Sequence, residues 1–370
     1  MYITYYQQQT PTAPTQLTFE ELLRGITPPT PAIPEKAQTK TIQVNELSTE
    51  FKENLNTKVA AFFITAIPII NRYPDTAQMS EHYRSFNIPK HSGGMRTIDA
   101  PDDQLKKDLR DIKDAFEDLG ILSHTCAYAY VPGRCAKDAI ERHQKTEHKW
   151  YLKMDLHNFF GSCTKPFILS QLKQIGTFAH IHAATTVISQ ILDIATLRGG
   201  LPQGTPLSPW LTNQIMLPID HQLSNFCQKH DVTYTRYADD MLFSADSKSY
   251  LENVIPIKVR EALQDTPLNI NEGKTKISSI CGKNWNLGLM VNKDNQITVG
   301  HKKKEIFKAT ITNFCFNHEI WTMQDTMEFL GTMQYYISVE PDYFQNVLTK
   351  YGEKFNMDIR DTIIRKLRSN

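Results

Sequence analysis

The run Tyr-Ala-Asp-Asp at residues 237–240 constrains the fold of this chain more than any other part of its sequence. It lies between two short segments, residues 232–236 and 241–244, which are rich in the β-branched and aromatic residues typical of strands. An Ala-Asp step between two such segments predicts a tight turn. The sequence therefore predicts a β-hairpin with a pair of carboxylates at its tip.

A third carboxylate is needed if this pair is to hold a metal ion. Successive side chains of a strand point to opposite faces, so Asp239 and Asp240 cannot face one ion equally. Asp155 is the candidate, because it ends the segment 151–155, whose alternating pattern is typical of a half-buried strand. Taken singly, each of these acids is also explained as an ordinary turn residue.

The composition indicates a globular protein with a sizeable core. The chain has 370 residues, of which 40% are hydrophobic and 22% charged, with a formal net charge of +1, so contacts with phosphate need local basic groups. The longest apolar run, residues 59–70, is too short to span a bilayer, and no secretory signal is recognisable, so we expect a cytoplasmic protein without membrane contact. Six scattered cysteines without a Cys-x-x-Cys pair argue against a zinc site or a disulfide framework.

The N-terminal segments differ in composition from the rest of the chain. Residues 1–45 are rich in Pro, Thr and Gln and are predicted to form an extension, with one short helix after the capping-box spacing at Thr18. Residues 44–72 have a helical pattern that ends before Pro74. This helix is expected to dock on the main body.

Two further segments carry candidate binding residues. Residues 83–101 alternate around a His-Ser-Gly-Gly turn, which predicts a hairpin bearing Lys90 and Arg96, and a helix is predicted over 103–119. The Gly- and Pro-rich loop at 198–209 precedes another helix, and its glycines let a ligand approach the backbone closely. A solvated hairpin and an ordinary connecting loop are the alternative interpretations.

Six segments occur in an order that resembles the reverse transcriptase family, in its bacterial retron-like and group II intron-like branch. They are the hairpin with Lys90 and Arg96, the Asp155 strand with Phe159-Phe160, the loop Leu-Pro-Gln-Gly-Thr-Pro-Leu-Ser-Pro at 201–209, the Tyr-Ala-Asp-Asp hairpin, Lys274-Thr275, and Leu287-Gly288-Leu289. The resemblance extends from Tyr83 to the C-terminus. It implies an α+β right-hand polymerase fold with fingers, a palm built on an antiparallel sheet, and a helical thumb.

The resemblance also implies a division of the chain. Residues 1–45 would be the Pro/Thr/Gln-rich extension, 46–150 the N-terminal helix and fingers, 151–295 the palm with the catalytic site, and 296–370 the thumb. The lysines at 302–304 would belong to a thumb that grips the duplex.

The activity implied by the resemblance is RNA-directed DNA synthesis by two-metal nucleotidyl transfer. The ions would be two Mg²⁺, with Mn²⁺ as a substitute, since carboxylate oxygens suit such hard cations. Asp155 and Asp239 would bridge the ions, Asp240 would act as a peripheral ligand, and the backbone carbonyl of Leu156 would complete one coordination shell. Lys274 would support the departing pyrophosphate.

The remaining implied site residues bind substrates. Lys90 and Arg96 would hold the incoming triphosphate, and Gln203 and Gly204 would lie against the templating base pair. Phe160 would exclude a 2′-hydroxyl and so select dNTPs, although core packing is an alternative for this ring. The implied partners are an RNA template, expected to be a noncoding RNA, the DNA product and dNTPs, with an oligomer or an accessory protein left open.

Departures from the retron pattern bear on the choice of subgroup. Asn286-Leu287 stands where the retron pattern has Val-Thr, and the Asn-Ala-x-x-His element is altered at Asp138 and His143. The segment after Gly288 suffices for a thumb but leaves little room for the endonuclease regions of mobile intron proteins. These features favour a stand-alone enzyme of an abortive-infection or defence-associated group.

Two other functions compete with templated synthesis. The same site could perform protein-primed or untemplated DNA synthesis, for which Tyr2, Tyr5 and Tyr6 offer hydroxyl groups. A catalytically silent RNA-binding scaffold is the alternative from another class, and the three intact aspartates argue against it.

Overall fold

A computed structural model of the protein describes residues 2–6, 39–43, 49–90, 93–175, 182–282 and 286–368. Strands β1 (Tyr2–Tyr6) and β2 (Thr39–Gln43) form an antiparallel pair. The sequence did not predict this pairing within the N-terminal extension. The predicted short helix after Thr18 lies outside the described residues.

Helix α1 (Thr49–Ile70) begins the main body and agrees with the helix predicted over 44–72. Its side chains Phe62, Ala66 and Ile69 are buried at the spacing of one helical face. A short 3-10 helix (Thr76–His82) follows. Across the described segments, no helix combines the length and the apolar character needed to cross a bilayer.

The predicted β-hairpin over 83–101 is confirmed. Strands β3 (Tyr83–Pro89) and β4 (Met95–Pro101) pair antiparallel over their whole length. Helix α2 (Asp103–Asp118) follows at once, because the Asp102 carboxylate caps it by accepting the backbone N–H of Leu105 at 2.8 Å. One face of α2 is apolar and fully buried, at Leu105, Leu109, Ile112 and Phe116.

The central sheet is antiparallel throughout, as predicted for a palm. Its strands are β5 (Trp150–His157), β6 (Thr233–Tyr237), β7 (Asp240–Ala245), β8 (Asn269–Ile270) and β9 (Lys276–Ser279). The order is β6-β7-β5, and both β8 and β9 pair with the free edge of β5. Strand β5 therefore pairs with β7 on one edge and with both β8 and β9 on the other.

One face of the sheet packs against helices in the first hydrophobic core. Leu152, Met154 and Leu156 alternate along β5 and belong to this core, as do Leu211 and Ile215 of the longest helix. The helices between and after the strands are α3 (Ala136–Gln144), α4 (Phe159–Ser162), α5 (Lys165–Leu172), α6 (His182–Ala195), α7 (Leu207–Lys229), α8 (Lys248–Asn253) and α9 (Ile255–Leu263). Helix α7 is the helix predicted after the Gly- and Pro-rich loop.

The C-terminal segments form a second hydrophobic core that the sheet shares. Tyr151 and Leu242 from the other face of the sheet, and Ile140 from α3, pack with these segments. The segments are β10 (Met290–Val291), β11 (Ile297–Thr298), α10 (His301–Asn317), α11 (Met323–Val339), α12 (Pro341–Phe355) and α13 (Ile359–Arg368). The α+β class is confirmed, and the four domain limits stay predictions.

Candidate active site

Asp239 lies in a two-residue loop that connects β6 to β7. Tyr237 and Asp240 form the last pair of the two strands, so Ala238 and Asp239 make the loop. Ala238 has a φ of +57°, a left-handed backbone conformation that residues other than glycine rarely adopt. The predicted tight turn is confirmed, and it contains a strained residue directly before Asp239.

Strand β5 meets this loop at Asp155 and Leu156. Asp155 lies directly opposite Asp240 in the sheet, and residues opposite each other in an antiparallel pair share a face. Leu156 donates its backbone N–H to the carbonyl oxygen of Asp239 at 3.0 Å. Strand pairing therefore brings three aspartates together from two segments that are distant in the sequence.

The aspartates influence one another's ionisation. Burial is the largest cause that raises the pKa of Asp239, and the charges of Asp240 and Asp155 raise it further. Burial also raises the pKa of Asp240, although the nearby Lys153 opposes that shift. Because desolvation and like charges disfavour the ionised forms, a cation in this cluster is favoured.

Two lysine ammonium groups contact the acids. The Nζ atom of Lys274 donates to both carboxylate oxygens of Asp155, at 2.9 and 3.1 Å, and this hydrogen bond is the largest cause that raises the pKa of Lys274. The Nζ atom of Lys153 donates to the carboxylate of Asp240 at 2.9 Å. Each of these two acids therefore has a lysine as its partner.

The carboxylate oxygens of this site suit divalent cations, although the side chains are not arranged around a common point. Within the described part of the chain, no group of three or more His, Cys, Asp or Glu side chains is arranged to hold a metal ion. However, Asp155 and Asp239 line the same cleft and offer hard carboxylate oxygens, which suit Mg²⁺. Asp240 is turned to Lys153 and is not among the residues that line the cleft.

A cleft of about 1120 Å³ collects the other predicted site residues. It is bordered by the β3-β4 hairpin on one side and by the carboxylate cluster on the other. The predicted residues that line it are Lys90, Arg96, Asp155, Leu156, Phe160, Gln203, Gly204, Asp239 and Lys274. Residues from five separate segments of the sequence therefore face one space.

The loop with Gln203 and Gly204 is docked on the β3-β4 hairpin. Asp99 of β4 donates its backbone N–H to the carbonyl oxygen of Gln203 at 2.8 Å. Gly204 has a φ of +121°, and a Cβ atom at this position would lie 2.9 Å from the Cγ2 atom of Ile98. The close approach of loop and strand therefore requires glycine at this position.

The two adjacent phenylalanines have different surroundings. Both line the cleft, but Phe159 is 3% exposed and belongs to the first core, whereas Phe160 is only partly buried against that core. Tyr130 also lines the cleft, and its ring meets the ring of Phe160 edge to face at a centroid distance of 6.4 Å. Simple core packing thus describes Phe159, while Phe160 and Tyr130 form an aromatic wall of the cleft.

Three residues near the acids were not predicted from the sequence. Lys153 lies two positions before Asp155, so strand alternation puts it on the same face, and the sequence did contain that signal. Arg236 of β6 directly precedes the Tyr-Ala-Asp-Asp run and is completely buried. Tyr130 belongs to a loop that gave no signal, because only tertiary packing brings it to the cleft.

Comparisons with known proteins agree with this fold. Residues 88–333, more than half of the chain, match the family model described as reverse transcriptase (RNA-dependent DNA polymerase). The retron Ec83 reverse transcriptase of Escherichia coli is 27% identical over 293 residues, which cover 76% of this chain and 92% of that protein. The retron Mx65 reverse transcriptase of Myxococcus xanthus is 29% identical over 67% of this chain and 59% of that protein.

Solved structures show a weaker likeness. A structure of telomerase from Candida albicans with a fragment of telomeric RNA covers 79% of this chain and 60% of its own, at 15% identity and a TM-score of 0.42. The family match and the retron relatives confirm the predicted resemblance, despite the departures at Asp138, His143 and Asn286. The chain belongs to the reverse transcriptase family and is an RNA-directed DNA polymerase with an α+β polymerase fold.

Proposed function

We propose that this polymerase joins nucleotides in the cleft beside the hairpin loop, with Asp155 and Asp239 as its metal-binding carboxylates. The observation that carries the proposal is the convergence of nine predicted site residues on that one cleft. The reaction is attack of a primer 3′-hydroxyl on the α-phosphate of a dNTP, with release of pyrophosphate. Such a reaction requires cations next to phosphate and an ordered base pair, and the cleft offers residues of suitable chemistry for each.

Asp155 and Asp239 would hold two Mg²⁺ ions, for which Mn²⁺ can substitute, and the backbone carbonyl of Leu156 would supply a further oxygen. When bound, such ions lower the pKa of the attacking hydroxyl and offset the charge of the leaving group. The raised pKa of Asp239 supports this role, because it reflects negative charge gathered in a buried place. Asp240, paired with Lys153, would support the site from its edge.

Lys274 would change partners during the reaction. Its ammonium group contacts Asp155, so cations bound by that carboxylate would release it toward the departing pyrophosphate. Lys90 and Arg96 of the β3-β4 hairpin would bind the incoming triphosphate. The planar guanidinium of Arg96 suits bidentate contact with phosphate oxygens, whereas Lys90 acts as a point charge.

The template and the nucleotide would be selected on the aromatic and loop sides of the cleft. Phe160 would lie under the deoxyribose, where its ring leaves no room for a 2′-hydroxyl. Gln203 and Gly204 would lie against the templating base pair, and the absence of a side chain at Gly204 favours close backbone approach. The contact of this loop with β4 supports a fixed position for both residues.

The proposal extends to partners and to biological role. The template would be an associated noncoding RNA, the product a specific cDNA, and the setting anti-phage defence in the cytoplasm. The names of the retron relatives support a retron-like enzyme, and the template and the role are extensions of that resemblance.

The test compares Asp239→Asn with the wild type and with Asp265→Asn, a matched change at an exposed carboxylate. We expect Asp239→Asn to lower Mg²⁺-dependent dNTP incorporation by at least about 100-fold, since a lost metal ligand forfeits several kcal/mol of charge stabilisation. RNA binding should survive in both variants. Sequencing of the co-purified nucleic acid, after separate RNase and DNase treatment, should give a discrete cDNA for the wild type and Asp265→Asn alone.

The outcomes separate the competing functions. Incorporation that persists in Asp239→Asn would refute the assignment of the site. DNA of repetitive sequence, or DNA covalently attached to the protein, would indicate untemplated or protein-primed synthesis, for which the tyrosines of β1 are the candidate primers. RNA without DNA in every preparation would instead indicate a binding scaffold.

A further inference from the structure

Arg236 is a completely buried arginine of β6 that directly precedes the Tyr-Ala-Asp-Asp run. Its guanidinium contacts the carboxylate of Asp220 in α7 through Nε at 3.0 Å to both oxygens and through Nη2 at 2.7 Å to one. Both side chains are 0% exposed. Burial of two charges is costly, and an apolar pair of similar volume often stabilises a protein equally well, so stability alone does not account for this pair.

The third guanidinium nitrogen of Arg236 contacts the hairpin loop. Its Nη1 atom donates to the backbone carbonyl oxygen of Ala238 at 3.1 Å. The next carbonyl oxygen, that of Asp239, accepts the backbone N–H of Leu156 at 3.0 Å. Both carbonyl groups of the two-residue loop are therefore held by hydrogen bonds from outside the loop, one from the β6 side chain of Arg236 and one from β5.

This anchoring acts on a strained backbone. The left-handed φ of Ala238 is disfavoured for an alanine, because it brings the Cβ atom close to the carbonyl oxygen that follows it. The peptide group that joins Ala238 to Asp239 sets the direction in which the Asp239 side chain leaves the loop. A hydrogen bond to the Ala238 carbonyl therefore favours one orientation of that peptide.

Arg236 is itself fixed on every side. Its backbone N–H donates to the carbonyl oxygen of Cys126 at 2.7 Å, and its carbonyl oxygen accepts the N–H of Tyr128 at 2.8 Å. The hydroxyl of Tyr234 donates to Asp220 at 2.8 Å and holds the partner carboxylate. The guanidinium therefore links the rigid helix α7 to the loop with little freedom to move.

We propose that Arg236, held by Asp220, is a positioning residue that orients the Ala238-Asp239 peptide and thereby aims the Asp239 carboxylate into the cleft. The inference rests on the proposed role of Asp239 as a metal ligand. A lysine at position 236 keeps the charge, but its single ammonium group cannot serve Asp220 and Ala238 with the same geometry.

The test measures kcat, the KM for dNTP and Mn²⁺ binding in Arg236→Lys. We expect kcat to fall about 10- to 100-fold, because displacement of a reacting group by about 1 Å has an effect of that size. The KM for dNTP should stay within about 3-fold, since Lys90 and Arg96 are untouched. Mn²⁺ binding, followed by electron paramagnetic resonance without nucleotides, should weaken as well.

Rescue by glycine distinguishes positioning from general stabilisation. Glycine adopts a positive φ without strain, so the loop depends less on the Arg236 bond when Ala238 is replaced. Adding Ala238→Gly to Arg236→Lys should therefore recover roughly 3- to 10-fold of the lost kcat. A loss that the glycine leaves unchanged would overturn the proposal.

The chain offers a matched control at Arg72. Like Arg236, it contacts an aspartate, Asp108, whose other oxygen accepts a tyrosine hydroxyl, that of Tyr73 at 2.8 Å. This group lies outside the cleft, so Arg72→Lys should leave kcat and Mn²⁺ binding at the wild-type values. If Arg236→Lys does not fold, as judged by circular dichroism, Asp220→Asn becomes the deciding variant, with a smaller loss of the same kind.

Failure of the inference and failure of the proposed function are distinguishable. A folded Arg236→Lys with wild-type kcat and Mn²⁺ binding, beside an inactive Asp239→Asn, would overturn the positioning role alone. Activity retained in Asp239→Asn would refute the metal-ligand role on which the inference rests. Equal losses in Arg236→Lys and Arg72→Lys would mean that the pair acts only through stability, which also overturns the proposal.

Discussion

At the scale of single residues, two adjacent aromatic rings have separate tasks. Both rings border the cleft, but Phe159 is buried in the first core, whereas Phe160 is partly exposed and meets the ring of Tyr130 edge to face. Their neighbourhood in the sequence made the two rings hard to tell apart, because both are equally apolar. The one-residue offset on α4 is what directs them to different surroundings.

Replacing Phe160 with alanine tests its role as a steric gate. We expect Phe160→Ala to admit ribonucleotides and to lower the discrimination between dNTP and NTP by about 10- to 100-fold, because the lost ring opens room for a 2′-hydroxyl. The measurement is the ratio of kcat/KM for dNTP and NTP. Phe167→Leu is the control, because Phe167 is buried in the first core and does not line the cleft, so it should lower stability by about 1 kcal/mol while the ratio is retained. An unchanged ratio in Phe160→Ala would remove the gate assignment.

At the scale of elements, helix α3 is joined to the sheet through a buried histidine. His143 is 0% exposed, and its ring nitrogens lie 2.7 Å from the Ser244 hydroxyl and 2.8 Å from the Thr235 hydroxyl. Burial, with smaller contributions from His148 and Arg142, lowers the pKa of His143 to about 3. The imidazole is therefore neutral in the folded protein.

This histidine predicts the dependence of stability on pH. An unfolded chain binds a proton at His143 below about pH 6.5 while the folded chain does not, so stability falls as the pH is lowered from 6.5 toward 3. Between pH 7 and 5.5 the loss should be about 1 kcal/mol in the free energy of unfolding by urea. In His143→Gln, this loss of about 1 kcal/mol between pH 7 and 5.5 should disappear, so stability should depend less steeply on pH. The same slope in both proteins would contradict the prediction.

Two glycines give opposite expectations for the same substitution. Gly204→Ala should destabilise the protein by about 2 kcal/mol and slow incorporation, because it combines a positive φ with overlap at Ile98. Gly331 lies within α11 with open space around it, so Gly331→Ala should stabilise the protein by about 0.5 to 1 kcal/mol. Urea unfolding measures both. A Gly204→Ala protein as stable as Gly331→Ala would show that the loop does not need glycine.

At the scale of the whole molecule, the sheet joins the two hydrophobic cores. Its two faces serve different cores, so Met154 packs in the first, whereas Tyr151 and Leu242 pack in the second with the C-terminal helices. Polar contacts add to this junction, such as the 2.7 Å bond from Lys137 Nζ to the carbonyl oxygen of Ser338. The C-terminal helices are thus part of the same packed body as the sheet.

This shared core predicts cooperative unfolding. Trp321 reports on the second core and Trp210 on the first, and in single-tryptophan variants their fluorescence should follow one coincident urea transition. Ile140→Ala should lower the midpoint at both probes, with a loss of about 2 to 4 kcal/mol. An earlier transition at Trp321 alone would mean that the C-terminal helices unfold independently.

The order of the motifs resembles that of the family, and the hairpin with its two acids and the strand that ends near Asp155 could be predicted from sequence patterns alone. These features depend on alternation and turn chemistry, which are properties of neighbouring residues. The same local rules predicted the β3-β4 hairpin and helix α2 to within one or two residues. The resemblance to the family, rather than these local rules, identified nine residues that line the cleft.

The contacts that these residues make depend on how the whole chain folds. Lys153 donates a hydrogen bond to the carboxylate of Asp240, and the ring of Tyr130 contacts that of Phe160. Arg236 contacts both Asp220 and the carbonyl oxygen of Ala238 in the strained loop. Each pairing joins segments that lie apart in the sequence or depends on a backbone angle that no local pattern encodes. Burial makes the contact of Arg236 with Asp220 specific, because a charged group removed from water must find a partner within the fold.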